Sequence, residues 1–475
     1  MAESVENIVL IIADALRPDR ISAYSGGILT PNIDSVARSG EVFEQCYSCI
    51  NATDPSITTI LTGLYPTRHG ILNHGSRVTQ KEQNYVSGTS PLPELLAETH
   101  QSAGIDTLER WHERGFDDYF NPRYSGWKGL SQKITELDFI EGINKIPIVM
   151  NKAKSVLGLT NPNRPVRSEI ITDLATDFLQ DTSRPFFLFI HYWDSHIPYI
   201  PLDDCPEVIR KRTYDGKDIP LHNLLDSIEG SPWKDRLEAQ LIGEATTAAE
   251  MKRKYDAGAW KIDQAIGDLI DSLQQHGLFD ETAVIITSDH GESLTEHEIF
   301  FDHHGLYDQS VHVPLIIKAP GFDGRETQFV QHFDLVPTIL DLLDIDYDTG
   351  SFDGVSLTYN GSERSLNRDA VFMEESHTAR KRAIRTEKYK YIKRLDERDV
   401  YRYCEIEHGS NEELYELESE PREKCNIINE SHDIEENLKQ KLSSWIEDLS
   451  TPEHAEGSFE PSDEVENHLE EMGYL

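Results

Sequence analysis

Four short runs of apolar residues, rich in β-branched side chains, stand out along the chain and predict buried strands. They cover residues 7–13, 185–191, 282–288 and 313–318. A run without polar alternation is typical of a strand buried on both faces, as in a parallel sheet covered by helices. The pattern therefore predicts that these four segments build the buried part of one sheet.

Helical periodicity between these runs indicates what covers the sheet. Apolar residues recur at helical spacing over residues 254–276, with acidic residues on the opposite face. A second helix is predicted over residues 337–343, where Pro337 suits the first turn. Strands that alternate with helices predict a layered α/β domain.

The pattern changes after about residue 345. Residues 350–368 are rich in Gly, Ser and Asn and indicate a connector. Short strands are then predicted over 370–374, 382–392 and 413–417, followed by a helix over 434–449, which indicates a smaller α+β domain. The predicted units are, in order, a catalytic domain 1–350, a connector 351–368, a C-terminal α+β subdomain 369–450 and an acidic tail 451–475.

The charge balance excludes some classes of partner. The chain has 475 residues and a formal net charge of −40. Such a surface repels nucleic acid and anionic lipid. The acids are dispersed, which favours a halophilic protein over an ordinary acidic enzyme, because salt screens their repulsion. No export signal or bilayer-spanning run is recognisable, so the sequence predicts a cytoplasmic location and no stable membrane insertion.

Chemically competent side chains follow three of the predicted strands. Asp14 follows the first strand, His196 lies beyond the second, and Asp289 and His290 follow the third. Sites in open α/β sheets form at such carboxyl ends. Thr53 stands just before Pro55 and a predicted helix, where helix-terminal N–H groups can bind an anion. Carboxylates, an imidazole and a hydroxyl together predict a divalent-metal site beside a nucleophile.

The order of these motifs resembles the sulfatase family of the alkaline phosphatase superfamily, in particular haloarchaeal sulfatase-like proteins with Thr at the formylglycine position. The segments that carry the resemblance, over most of the chain, are 7–20, 53–70, 191–199, 255–278, 287–292, 303–317, 334–344 and 413–417. The resemblance implies a three-layer α/β/α sandwich with a mixed, mostly parallel sheet, and a smaller C-terminal α+β domain. It also implies an enzyme that hydrolyses an ester.

Four positions depart from the family pattern. The residue normally converted to formylglycine is Thr53, and the usual Arg after it is Ile57. The usual second Asp is Ala15, and His290 stands where many sulfatases have Asn. Threonine cannot become formylglycine, so no formylglycine is expected. A threonine ester must be hydrolysed by water, which suits a phosphoryl group better than a sulfuryl group.

The resemblance implies one divalent metal ion. Its predicted ligands are Asp14, Thr53, Asp289 and His290. The family metal is Ca²⁺, but the loss of an oxygen ligand at Ala15 and the imidazole of His290 shift the preference toward Mn²⁺ or Zn²⁺.

The resemblance also implies roles for residues around Thr53. His196 matches the family histidine that contacts the substrate anion. Arg110 is expected to bind the anion bidentately, with His112 assisting. His304 matches the residue near the leaving group and is expected to be the general acid, with His303 as the alternative.

The sequence therefore predicts a metal-dependent sulfatase-type hydrolase of a sulfate or phosphate ester, carried by a small molecule, a glycan or a lipid, with Thr53 as the nucleophile. One alternative is a phosphotransferase that passes a phosphoryl-linked group from Thr53 to a sugar or lipid hydroxyl. The other is a degenerate, non-catalytic sulfatase-like binding protein, which the unusual Ala15 and Ile57 would fit.

Overall fold

The computed structural model describes most of the chain. The predicted acidic tail, residues 451–475, lies outside the described part. The described residues are 4–25, 30–123, 166–182, 185–202, 205–214, 218–227, 234, 238, 245–359, 364, 366, 368–375, 380–395 and 409–448.

The strands of the described residues are, in chain order, β1 (Asn7–Ala13), β2 (Glu41–Phe43), β3 (Cys46–Tyr47), β4 (Gln101–Ile105), β5 (Asp118–Phe120), β6 (Phe186–Tyr192), β7 (Thr282–Thr287), β8 (Ser293–Leu294), β9 (Phe300–Asp302), β10 (Leu315–Lys318), β11 (Gly324–Glu326), β12 (Val330–Gln331), β13 (Ala370–Glu375), β14 (Lys381–Thr386), β15 (Tyr389–Arg394) and β16 (Glu412–Glu416).

The helices are α1 (Ser22–Ser25), α2 (Pro31–Arg38), α3 (Thr53–Thr62), α4 (Pro66–His69), α5 (Gln80–Val86), α6 (Leu92–Leu96), α7 (Ser168–Asp181), α8 (Glu207–Arg210), α9 (Leu221–Ser227), α10 (Ala248–Gln275), α11 (Asp308–Val311), α12 (Leu335–Leu342) and α13 (His432–Asp448). Short 3₁₀ turns cover Pro18–Arg20, Gly75–Arg77, Arg110–Glu113, Glu296–Glu298, His332–Asp334 and Thr349–Ser351. No helix of the described part is long and apolar enough to cross a bilayer.

The main sheet has eight strands in the order β11-β2-β10-β7-β1-β6-β4-β5. Its neighbours are parallel except at β10, which runs antiparallel to β7 and β2. All four predicted strands lie in this sheet, as β1, β6, β7 and β10, which confirms the mixed, mostly parallel arrangement. Because β1 pairs in parallel with both β6 and β7, the carboxyl ends of these three strands meet at one edge.

The two faces of β1 show how the layers form. Val9 and Ile11 face one apolar cluster, which contains residues of α2, α7 and α10. Ile8 and Leu10 face the other, which contains residues of α3, α6 and α12. All four side chains are fully buried, and their alternation follows the two-residue period of a strand. Helices on both faces complete the expected three-layer sandwich.

The C-terminal region is smaller and antiparallel. Strands β13-β14-β15-β16 form a four-stranded sheet, and α13 packs against it through Leu438 and Leu442. The predicted single strand over 382–392 is wrong, because the chain turns between Thr386 and Tyr389. The Thr386 hydroxyl accepts a hydrogen bond from the Tyr389 N–H at 3.1 Å and closes this turn. The predicted domain boundaries themselves stay a prediction.

Candidate active site

The four predicted metal ligands converge at the edge where β1 and β7 end. Asp14 follows β1, Asp289 and His290 follow β7, and Thr53 opens α3. All four are fully buried. The Nε2 atom of His290 lies 3.2 Å from Thr53 Oγ1, 3.3 Å from Asp289 Oδ2 and 3.6 Å from Asp14 Oδ1. The nucleophile candidate is thus in contact with the carboxylate–imidazole cluster.

Local packing fixes the two segments that meet here. The Ser56 hydroxyl, in the first turn of α3, donates to the Asp289 carbonyl at 2.6 Å. Ser195 Oγ donates to the Asp14 carbonyl at 2.6 Å. Gly291 lies so close to the next segment that a Cβ would stand 2.0 Å from the Gln309 carbonyl oxygen. Only glycine fits after His290, which explains the Asp-His-Gly order in the sequence.

The donor set fits a divalent cation. In the described part of the chain, no hydrogen bond reaches either carboxylate oxygen of Asp14 or Oδ2 of Asp289. His290 Nδ1–H donates to the Gly291 carbonyl at 2.8 Å, so in the neutral ring Nε2 turns its lone pair toward these carboxylates. Buried lone pairs that face one another need a cation between them. Asp14, Asp289 and His290 can each offer one ligand atom within 4.8 Å of one another.

A buried histidine, His191, lies beside Asp14. His191 Nε2 lies 3.5 Å from Asp14 Oδ2, and its Nδ1 lies 2.9 Å from Asp106 Oδ1. Burial opposes protonation of this imidazole, but Asp106 and Asp14 raise the pKa of His191 to about 10. Burial likewise opposes ionisation of Asp14, but His196 and His191 lower the pKa of this carboxyl to about 2. An ionised Asp14 is what a metal ligand must be.

Ala15 has a strained backbone conformation. Its φ is 58°, in the left-handed region that favours Gly, Asn or Asp over Ala. Its N–H donates to Asp289 Oδ1 at 3.2 Å, and its carbonyl accepts from the Tyr255 hydroxyl at 2.7 Å. The strained turn is therefore kept by these bonds although the second carboxylate is absent.

Three histidines lie around His290. The His303 ring stacks on His290 with centroids 4.2 Å apart, and the His196 ring lies 6.3 Å from His290 and 6.0 Å from His303. His304 is turned toward Asp302, with Nε2 3.1 Å from Oδ2. The alternative residue His303, rather than His304, is thus the one stacked on His290.

Arg110 and His112 reach the start of α3 through Asp54. Arg110 Nη2 donates to Asp54 Oδ1 at 2.7 Å, and His112 Nε2 lies 3.0 Å from the same oxygen. Burial opposes ionisation of Asp54, yet Arg110, His112 and His74 hold the pKa of this carboxyl well below its ordinary value. Ile57, at the family's Arg position, is fully buried in the apolar layer behind α3 and supplies no charge.

Several residues at the candidate active site were not predicted from the sequence. Asp54 and His74 form part of the Arg110 cluster, and Asp106 holds His191. Glu292 is fully buried, and burial together with Asp302 and Asp14 raises the pKa of this carboxyl well above its ordinary value. For Asp54 the available signal was its place directly after Thr53. For His74 and Asp106 the sequence offered none.

Asp194, near the end of β6, makes a pH-dependent contribution to stability. It is buried beside Ser168, whose hydroxyl donates to it. Burial raises the pKa of Asp194 from 3.8 to about 7. This contribution is full below about pH 4 and is lost as the pH rises through 7. Since asparagine cannot ionise, we expect Asp194→Asn to exceed wild type in stability at about pH 8, by at most ~4 kcal/mol, and to match it near pH 4.

Urea unfolding at both pH values measures this difference. Equal pH dependence of the two proteins would contradict the assignment of a raised pKa to Asp194.

The sheet, the buried carboxylate–imidazole cluster and the hydroxyl at a helix N-terminus together define an alkaline phosphatase-type ester hydrolase. Comparison with known sequences places the chain more narrowly. The sequence model of the family described as "Sulfatase" matches residues 6–345, and that described as "N-sulphoglucosamine sulphohydrolase, C-terminal" matches residues 295–449. The chain therefore belongs to the sulfatase family, which confirms the resemblance and the expectation of an ester-hydrolysing enzyme.

Individual relatives agree at lower identity. An N-acetylglucosamine-6-O-sulfatase of Bacteroides thetaiotaomicron is 23% identical, with 89% of this chain and 82% of that protein covered. A choline-sulfatase of Rhizobium meliloti is 25% identical, with 90% and 83% covered. The solved phosphonate monoester hydrolase of Agrobacterium radiobacter has a TM-score of 0.65 at 20% identity and covers 93% of this chain and 96% of its own. This last likeness confirms the fold.

Proposed function

We propose that this protein is a metal-dependent hydrolase of a sulfate or phosphate ester, with Thr53 as the nucleophile. The observation that carries the proposal is the position of Thr53 Oγ1, which lies 3.2 Å from His290 Nε2. Beside it are three buried carboxylate oxygens, both of Asp14 and Oδ2 of Asp289, that accept no hydrogen bond in the described part of the chain. Asp14, Asp289 and His290 would hold the ion, with Thr53 at its side. When bound, it would supply charge that favours the Thr53 alkoxide and polarises the ester oxygens.

The chain's own residues account for two chemical steps. Thr53 Oγ loses its proton to solvent and attacks the sulfur or phosphorus atom in line, so that a bond to Oγ forms and the bond to the leaving alcohol oxygen breaks. A histidine gives that oxygen its proton, and the stacking of His303 on His290 favours His303 over His304 for this role. Water then attacks the Thr53 ester, releases sulfate or the phosphoryl product and restores the hydroxyl.

Thr53 favours phosphoryl chemistry within this scheme. A formylglycine hydrate expels its ester group by collapsing to an aldehyde, whereas a threonine ester has no such exit. The second step therefore depends on attack by water at sulfur or phosphorus, which a phosphothreonine undergoes more readily.

The organic part of the substrate is proposed from the relatives alone. One relative is named as an N-acetylglucosamine-6-O-sulfatase and one as a choline-sulfatase. A similar solved structure contains its substrate, D-glucosamine-2-N,6-O-disulfate. These names support a small-molecule or glycan ester over a lipid ester. The close approach of Asp14, Thr53, Asp289 and His290 supports catalysis over the binding-protein alternative.

A substrate panel tests the proposed function. Wild type is assayed in molar KCl with Mn²⁺, Ca²⁺ or Zn²⁺ on a 4-nitrophenyl sulfate, a 4-nitrophenyl phosphate and a bis(4-nitrophenyl) phosphate. We expect metal-dependent release of nitrophenol from at least one ester, fastest from a phosphorus substrate. A gain in rate with added alcohol would favour the phosphotransferase. Metal binding without turnover of any ester would contradict the proposal.

The molar KCl in this assay is chosen because the chain carries a large net negative charge. With a net charge of −40, we propose that the protein is adapted to high salt, where screening shortens the range of repulsion to a few ångströms. A cytoplasmic location stays a proposal of the same kind, because it rests on the sequence alone.

A further inference from the structure

Asp54, the residue directly after Thr53, is the centre of a charged cluster at the start of α3. It is fully buried. Its Oδ1 receives Arg110 Nη2 at 2.7 Å and lies 3.0 Å from His112 Nε2. Its Oδ2 receives the Gly75 N–H at 2.6 Å and lies 3.0 Å from His74 Nδ1. The carboxylate thus joins two other segments of the chain to the nucleophile.

The segment that carries Arg110 is held in an unfavourable backbone conformation. Glu109 and Arg110 have φ values of 54° and 59°, which non-glycine residues rarely adopt. The guanidinium also donates to the Gly75 carbonyl at 2.8 Å and lies over the Trp111 ring at 4.4 Å. Its side chain keeps 30% of its surface exposed. Arg110 is therefore fixed against Asp54 while part of its side chain still faces solvent.

The charges around Thr53 cancel in this arrangement. Asp14 and Asp289 together would balance a divalent ion, and Asp54 balances Arg110. Ile57, buried behind α3, adds no cation. In a site without net charge every negative charge that a ligand brings is uncompensated, so an ester with two charges costs more to bind than an ester with one.

We propose that Asp54 is a specificity-determining residue, which neutralises Arg110 so that the Thr53 site selects esters with one negative charge over esters with two. A sulfate monoester, a phosphate diester and a phosphonate monoester each carry one charge, whereas a phosphate monoester carries nearly two at neutral pH. The inference rests on the proposed function and narrows its substrate class.

The variant Asp54→Asn tests this role, because it removes the charge and keeps the shape. The measured quantity is kcat/KM for 4-nitrophenyl phosphate divided by kcat/KM for bis(4-nitrophenyl) phosphate, above neutral pH. We expect this ratio to rise at least ~10-fold in the variant, as one freed positive charge favours the dianion. A ratio within about twofold of wild type, with diester turnover retained, would overturn the proposal.

Asp353→Asn is the matched control. Asp353 pairs with Arg68 of α4 and accepts the Tyr65 N–H at 2.8 Å. It therefore makes the same kinds of contact without touching Thr53. We expect no change of the ratio in this variant, and an equal rise in both variants would overturn the specific role of Asp54.

Inhibitor binding to the wild-type protein tests the inference without a variant that must fold. Benzenesulfonate keeps one charge at all pH values used, whereas phenylphosphonate gains its second near neutral pH. Between about pH 6 and pH 9, we expect the inhibition constant of phenylphosphonate to rise at least ~10-fold relative to that of benzenesulfonate. A constant or falling ratio would overturn the inference.

If no ester is turned over, thermal-shift titrations with phenylphosphonate and benzenesulfonate give the ratio of their binding constants instead. Loss of all turnover would contradict the proposed function, whereas the inhibitor ratio separately decides the charge selection.

Discussion

Replacing Thr53 by alanine is expected to lower kcat/KM on any ester that wild type hydrolyses by roughly 10³- to 10⁶-fold, the range seen when a nucleophile is removed. Thr53 Oγ1 is the hydroxyl in contact with His290, at 3.2 Å, and the side chain is fully buried. Alanine lacks Oγ1 and the γ-methyl group at this buried position, so the folded state of the variant is measured beside its rate. Initial rates with the metal at saturation measure the loss of activity.

Two variants of the same helix make this result specific. Thr53→Ser keeps a hydroxyl and should retain part of the activity. Thr62→Ala removes a hydroxyl from the last turn of α3, where it donates to the Thr58 carbonyl at 2.6 Å, and should leave the rate near that of wild type. Activity of Thr53→Ala near that of wild type would mean that another group attacks the ester.

Replacing Asp14 by asparagine is expected to weaken metal binding by more than ~100-fold. Loss of a residue that only supports a ligand typically costs 10- to 100-fold, and Asp14 is itself a predicted ligand. Its two oxygens accept no hydrogen bond in the described part of the chain, so they are available to a cation. Calorimetric titration of the metal-free protein with Mn²⁺ measures the affinity without any need for activity.

The Asp106→Asn variant is expected to have a smaller effect on metal affinity than Asp14→Asn. Asp106 contacts His191, which in turn lies 3.5 Å from Asp14, so we expect its loss to weaken the metal within the 10- to 100-fold range. Asp353→Asn, which contacts Arg68, should bind as wild type does. Equal affinity of wild type and Asp14→Asn would place the ion elsewhere.

The core of the fold could be predicted because its strands are buried on both faces. The unbroken apolar runs of β1, β6 and β7 are typical of parallel strands at the centre of a sheet that is covered on both faces. Short edge strands such as β11, with exposed Gly324 and Arg325, carry no such pattern. The turn within 382–392 was missed because Glu387 and Lys388, between the two strands, are not residues that mark turns.

The metal ligands could be predicted from strand ends, whereas their surroundings could not. Asp14 and Asp289 follow strands that are parallel neighbours, so pairing alone brings them together. Asp54 and Arg110 are 56 positions apart and meet through a turn with two left-handed residues, which no periodicity reveals. The choice between His303 and His304 likewise depends on which ring stacks on His290.

Thr53 is expected to become covalently esterified during turnover. The most direct test is to mix the protein with the ester it hydrolyses, quench in acid within the first turnovers and measure the mass of the peptide that contains Thr53. We expect a phosphoryl-linked or sulfuryl group on Thr53 that is absent from Thr53→Ala. Turnover in wild type with Thr53 unmodified at every quench time would contradict a covalent ester.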